Sequence, residues 1–280
     1  MLPKAHDLGQ IKSRILLFGG PYSNLAATQA MLAKATELDI DKNHIICTGD
    51  IVAYCAEPEL TSQLIKESGI AVVMGNCEES LSQKNMDCGC GFEPGMMCST
   101  LSKKWYDYAD AQITDDSRLW MDTLPPAITF QMNQYQFRVI HGGVQQINQF
   151  IFASTESQIK KQDLEQADTD IIIGGHSGLP FGQKIGLGGW LNSGVIGLPA
   201  NDGTSLVWYL LLTPDKEGFI ASWHQLEYDY KKTAQSMLKN GLTEYAETVL
   251  TGFWPSQDIL PEAEKMNRGR EIQIANLAFK

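Results

Sequence analysis

Three short apolar runs in the first 75 residues each end in glycine and are separated by stretches of helical length. Arg14 to Gly20 (RILLFGG), His44 to Asp50 (HIICTGD) and Ile70 to Asn76 (IAVVMGN) read as buried strands. Asn24 is placed to cap the first intervening helix, whose apolar stripe is Leu25, Met31, Leu32 and Ala35; Glu57 to Ser68 forms the second. A β-α-β-α-β order requires parallel strands joined by right-handed crossovers. Ligands of such sheets gather at the carboxyl ends of the strands. Here those ends carry Gly19-Gly20, Gly49-Asp50 and Gly75-Asn76.

The rest of the chain fits the same class. Glu78 to Cys98 is polar, glycine-rich and irregular, and reads as a long loop over that sheet edge. Helices are expected over Ser99 to Ala111 and Asp115 to Thr123. Beyond Pro125-Pro126 strands dominate: Ala127 to Gln131, Gln136 to His141, Asp170 to Gly174, Gly188 to Asn192, Ser205 to Leu212 and Gly218 to Trp223. Helices over Lys231 to Asn240 and Thr243 to Leu250 follow, and the tail from Pro261 is polar and weakly specified. No repeat and no linker divides the chain. The expectation is one α/β domain over residues 1–280, with a core over roughly residues 14–225 and a helical extension over roughly 226–280.

Charge and length narrow the function. Lys and Arg number 22 against 33 Asp and Glu, a formal net charge of −11 with no basic block. That argues against nucleic acid or an anionic membrane as the main partner. No apolar run reaches the ~18 residues needed to cross a bilayer, and Leu206 to Leu212 is only of strand length. Met1 to Arg14 lacks the apolar core of a secretory signal, so a cytoplasmic location is expected. All six cysteines fall between Cys47 and Cys98. In a large chain this reads as thiols, ligands or packing residues rather than a disulfide framework. Cys47 lies within a strand and is expected simply to pack.

Four polar residues sit at strand ends beside glycine: Asp50 in TGD, Asn76 in MGN, His141 in VIHGG and His176 in IGGHSG. One carboxylate, one amide oxygen and two imidazoles make a nitrogen and oxygen donor set suited to Mn, Zn or Fe. Singly, a strand-end Asp is often a helix cap and a lone His a satisfied core residue; four in series weaken that explanation. Trp105, Tyr106 and Tyr108 read as helix packing, and Glu78 and Glu79 as first-turn acids favoured by a helix dipole. His44 and His224 have no motif around them.

At these residues the chain resembles the calcineurin-like metallophosphoesterases. Asp50 in GDIVAYCAEP is similar to that family's GD motif, and Asn76 in GNCEES to its GNH motif. His141 in HGG resembles the single-His motif, and His176 in GGHSGLP the GHxH motif. Asn192 to Pro199 (NSGVIGLP) is similar to the NPGSVGLP segment of the smaller bacterial members, and Trp254-Pro255-Ser256 fits them too. The resemblance implies a four-layer α/β-β/α sandwich of two mixed sheets flanked by helices, with two metals at the sheet edge. Such a pair activates water and clamps phosphoryl oxygens. Asp50 would bridge the metals, and Asn76, His141 and His176 would complete the second position. The first position departs from the pattern: Gly20 and Tyr22 stand where the family has DxH, and Gly178 replaces the last His of GHxH. Cys77 stands at the His of GNH.

Two readings of the altered half fit the residues. The site holds a single metal, or thiols rebuild the first position; Cys77, Cys88, Cys90 and Cys98 are the candidate ligands, at a C-x10-C-x-C-x7-C spacing that matches no zinc motif. The expected function is metal-dependent hydrolysis of a small-molecule phosphomonoester or phosphodiester, using one or two divalent ions (Mn, Fe or Zn), with Asp50, Asn76, Cys77, His141 and His176 as the catalytic set. The alternatives are a catalytically weak or inactive metal-binding protein of the same fold, and a thiol-based redox or metal sensor.

Overall fold

Side chains alternate along the central strands, and that alternation sets the layers. In the computed structural model, which describes residues 2, 4–92 and 95–280, Ile15 and Leu17 face one way and Leu16 and Phe18 the other, all fully buried. A strand apolar on both faces must be covered on both. One cover is a second sheet and the other a layer of helices.

The first sheet contains β1 (His6–Gln10), β5 (Ile128–Met132), β6 (Tyr135–Val139), β7 (Ile171–Gly174), β8 (Phe181–Ile185) and β9 (Gly188–Asn192). Its spatial order is β1-β5-β6-β7-β9-β8. The second contains β2 (Ile15–Phe18), β3 (Ile45–Cys47), β4 (Ala71–Val72), β10 (Val207–Pro214), β11 (Phe219–Leu226) and β12 (Leu277–Phe279), in the order β12-β11-β10-β2-β3-β4. Both sheets are mixed. β2, β3 and β4 run parallel, as do β6, β7 and β9, whereas β10 and β11 form a long antiparallel pair.

Between the sheets lie Ile15, Leu17, Phe130, Phe137, Ile171, Ile173, Leu210 and Leu212. The outer face of the second sheet packs on α1 (Leu25–Glu37), α2 (Pro58–Ser68), α3 (Asn76–Ser82), α4 (Met97–Asp110), α5 (Asp115–Asp122), α7 (Tyr230–Lys239) and α8 (Thr243–Thr251). The outer face of the first sheet packs Ile172 and Trp190 against Leu164 of α6 (Ser157–Ala167). A short α9 (Glu262–Lys265) follows. The fold is therefore the expected sandwich of two mixed sheets flanked by helices. Among the described residues no helix is long and apolar enough to cross a membrane.

The β-α-β-α-β start forms as expected, with Asn24 accepting from the Ala27 N–H at 3.1 Å as the cap of α1. Cys47 is fully buried in β3, and Trp105 and Tyr106 are buried on α4. The segment Glu78 to Cys98 differs: its start belongs to α3 and its end to α4, while residues 93 and 94 lie outside those described. Five further elements escape the sequence pattern: β1, α6, β8, α9 and β12. The buried face of α6 is made of Lys160, Asp163 and Leu164, so no apolar stripe marks it. β8 carries only two large apolar residues, and β12 is held by its pairing with β11, with Phe279 stacked on Phe219 at 4.6 Å.

The unmarked face of α6 carries a testable cost. Asp163 is 6% exposed, its Oδ2 has no hydrogen-bond partner, and burial pushes its carboxyl up to about 6. A folded-state pKa above the unfolded value favours the native state at low pH, and that advantage is lost as pH rises through about 6. Asp163→Asn is therefore expected to stabilise the protein at pH ~8 by about 1 kcal/mol, or about 3 °C in Tm, and to have no effect near pH ~4. Thermal melts of both proteins at the two pH values check this.

Candidate metal centre

The carboxyl ends of four parallel strands, two from each sheet, meet at one edge of the sandwich. Asp50 follows β3 and Asn76 follows β4; His141 follows β6 and His176 follows β7. All four are at most 7% exposed. Gly49 makes the convergence of the first pair with His141 sterically feasible. Its φ is +95°, and a Cβ there would lie 2.8 Å from Gly75 N and 2.9 Å from His141 Nδ1.

Their polar atoms converge on one point. His141 Nε2 lies 3.2 Å from Asp50 Oδ2, 3.0 Å from Asn76 Oδ1 and 3.1 Å from His176 Nδ1, and the last atom is 4.0 Å from Asp50 Oδ2. Potential ligand atoms of Asp50, His141 and His176 all lie within 4.8 Å of one another. Donor atoms held 2.0–2.2 Å from one cation are roughly 3 Å apart at octahedral or tetrahedral angles. This donor set therefore fits a single divalent ion.

Hydrogen bonds fix the donors' orientation. His141 Nδ1–H donates to the Thr48 carbonyl at 2.7 Å, which turns the Nε2 lone pair into the site. The Cys77 N–H donates to Asp50 Oδ1 at 3.2 Å, leaving Oδ2 for the centre. Asn76 Nδ2 donates to the Cys88 carbonyl at 2.7 Å, which aims Oδ1 inward. An amide oxygen, a carboxylate oxygen and an imidazole lone pair facing one another repel unless a proton or a cation lies between them. Burial alone would lower the His141 pKa, but the Asp50 carboxylate outweighs it and the net shift is upward. Burial and then the charge on His141 push His176 down to about 3, so it stays neutral and able to donate its lone pair.

Glu78 has a larger role than a first-turn acid. Fully buried, its carboxylate accepts from the N–H groups of Asp50 (2.7 Å), Ile51 (2.8 Å), Val52 (3.3 Å) and Gly75 (3.0 Å). It ties the turn after β3 to the turn after β4 and so sets the spacing of Asp50 and Asn76. Burial, then the neighbouring Asp50 charge, pushes its carboxyl up to about 7. The available sequence signal was an acid three residues into a helix entered through glycine.

The other half of the site is filled. Tyr22 has a φ of +52° and is held there by N–H donation to the Asp50 carbonyl at 3.1 Å and by the Cys55 N–H donating to its own carbonyl at 3.1 Å. Its ring lies over Gly20: a Cβ on that glycine would sit 2.5 Å from Tyr22 Cζ. A Cβ on Gly178 would be 3.7 Å from Tyr22 Oη and 3.6 Å from the Trp254 ring. Burial, then the Asp50 charge, push the Tyr22 phenol well above its usual range, so it is a neutral donor. The ring also meets Tyr54 edge-on at 4.7 Å. A narrow cavity of about 50 Å³ opens on Asp50, Tyr22 and His176, walled by Tyr54, Phe150, Tyr245 and Trp254.

The cysteines surround this centre without joining its group of converging donors. Cys77 is buried beside Asp50; burial and then the Asp50 and Glu78 charges push its thiol well above the ordinary range, which disfavours a thiolate nucleophile. Cys88 and Cys90 are paired as a disulfide, with Cys90 Sγ 3.3 Å from Asn76 Nδ2. Cys90 and Cys98 line the cavity.

Fold and site together define a double-sheet sandwich with a group of converging donor residues able to hold a metal ion at the carboxyl edge of its parallel strands. The calcineurin-like phosphoesterase superfamily domain matches residues 19–217, more than half of the chain, and the chain belongs to that family. It is 26% identical over 253 residues to an uncharacterized protein of Methanocaldococcus jannaschii, covering 84% of this chain and 96% of that one. A metallophosphoesterase structure from Sphaerobacter thermophilus superposes with a TM-score of 0.65 at 21% identity, covering 86% of this chain and 100% of that chain. A hypothetical protein of Pyrococcus horikoshii gives 0.67 at 16% identity, covering 85% and 97%. At these identities the structural likeness speaks for the fold.

Proposed function

We propose that the protein hydrolyses a phosphomonoester or phosphodiester of a small molecule, using a divalent ion (Mn, Fe or Zn) held by Asp50, Asn76, His141 and His176. The observation that carries this reading is the convergence of four inward-turned donor atoms from four strand ends, three of them 3.0 to 3.2 Å from the fourth, His141 Nε2. An ion there supplies a Lewis acid for a phosphoryl oxygen and makes water a stronger nucleophile. Asp50 contributes the only negative charge among the four donors. Thr48 holds His141 in the tautomer that donates, and Glu78 holds the Asp50 turn in place. In the overall reaction a water oxygen forms a new P–O bond as the ester P–O bond breaks. The electron pair leaves with the alcohol oxygen, which takes up a proton.

The altered first position supports a second reading, a protein that binds one ion but has little activity. Turnover of a generic aryl phosphate and a bis-aryl phosphodiester under Mn, Fe and Zn separates the two. The hydrolase reading expects turnover with at least one metal, abolished in His176→Ala. Stoichiometric metal with no turnover of either ester supports the binding protein instead.

A further inference from the structure

We propose that Tyr22 occupies the space of the family's first metal, so that the site holds one ion and presents the Tyr22 phenol to a phosphoryl oxygen where a second cation would act. This rests on the phosphoesterase reading for the phenol's role; the one-ion count stands without it.

Several observations meet at this residue. The two positions matching the family's DxH ligands are Gly20 and Tyr22, and the ring of the second covers the first. A side chain at position 20 would need both a φ of +40° and the volume that the Tyr22 ring fills. The position matching the last His of GHxH is Gly178, whose missing Cβ leaves the space that Tyr22 Oη and Trp254 approach. Three ligand losses therefore act as one change: two glycines remove side chains and one aromatic ring enters the space. A site that had merely lost its ligands would leave a polar hole, whereas here the Tyr22 ring takes the space beside Gly20 and narrows what is left to a small cavity.

The packing is also oriented. Tyr22 adopts a left-handed backbone conformation that a non-glycine residue rarely takes, held by backbone hydrogen bonds to the Asp50 turn. Strain of this kind persists only where the surroundings enforce it. The side chain lines the same cavity as Asp50 and His176. A phenol donor held at the wall of this cavity is suited to an oxygen that gains negative charge during reaction. Thiol ligands are not needed to rebuild a position that is already filled.

The test is a manganese titration of the wild-type protein, read by metal analysis and electron paramagnetic resonance, together with Tyr22→Phe. The wild type is expected to saturate at one ion per chain with the spectrum of an isolated ion. Tyr22→Phe keeps the ring, so it is expected to retain that ion and its melting temperature while kcat on an aryl phosphate falls on the order of 10²-fold with KM little changed. Two ions in the wild type, or a spin-coupled pair, overturn the inference and leave the phosphoesterase reading intact. Unchanged kcat in Tyr22→Phe overturns the phenol's role. One ion with no turnover of any phosphate ester sinks the phosphoesterase reading and that role with it, while the one-ion site stands.

Discussion

Asp50→Asn is expected to give a folded protein that no longer holds a divalent ion and no longer turns over phosphate esters. Asp50 is the only negatively charged member of the donor set, so its loss removes the main Coulombic attraction for a cation. The backbone tolerates the change: Asp50 sits at φ +55°, a region where Asn is also favoured, and Glu78 holds its N–H irrespective of the side chain. Removing the carboxylate also relieves the repulsion felt by buried Glu78. The metal-free melting temperature should therefore stay level or rise. Metal affinity should drop by more than the ~100-fold typical of losing an outer hydrogen-bond partner. The stabilisation that added metal gives the wild type should vanish with it. Melts with and without Mn²⁺ check both parts, and a metal-induced shift equal to wild type would contradict the assignment.

Glu78→Ala is expected to be the most destabilising single change near the site. It strands four backbone N–H donors, those of Asp50, Ile51, Val52 and Gly75, in a buried turn. An unsatisfied buried donor costs about 1–3 kcal/mol, so the summed loss is about 4 kcal/mol or more, even after relief of the repulsion with Asp50. In a chain of this size that lowers Tm by about 10 °C. Glu78→Gln, which keeps one acceptor oxygen, should fall between the two. Calorimetry of the three proteins checks the order; a Glu78→Ala melt within ~2 °C of wild type would mean that water satisfies those donors instead.

The legible part of the site was its strand-end series. Asp50, Asn76, His141 and His176 each stand beside glycine after an apolar run, and parallel topology carries such residues to one edge without any knowledge of side-chain contacts. The sandwich followed from the resemblance, and the alternation in β2, β7 and β10 explains why both faces of each sheet had to be covered. Glu78 was harder to read, because an acid in a first turn has a sufficient local explanation; its three long-range bonds to backbone depend on the turn after β3. Tyr22 was visible as a missing ligand but not as a filled volume. That feature arises from a positive φ and from the glycines at positions 20 and 178, which approach only in the folded chain. α6 was hidden because Lys160, on its buried face, spends its charge on the Ala153 carbonyl and Gln183 Oε1 instead of on solvent.

Crystals of the wild-type protein grown with Mn²⁺, with diffraction recorded at the manganese absorption edge, locate every bound ion. One anomalous peak per chain is expected, enclosed by Asp50, Asn76, His141 and His176, with the Tyr22 ring in place over Gly20. A second peak beside Gly20 and Gly178, or a single peak away from His141 and His176, would contradict the one-ion site.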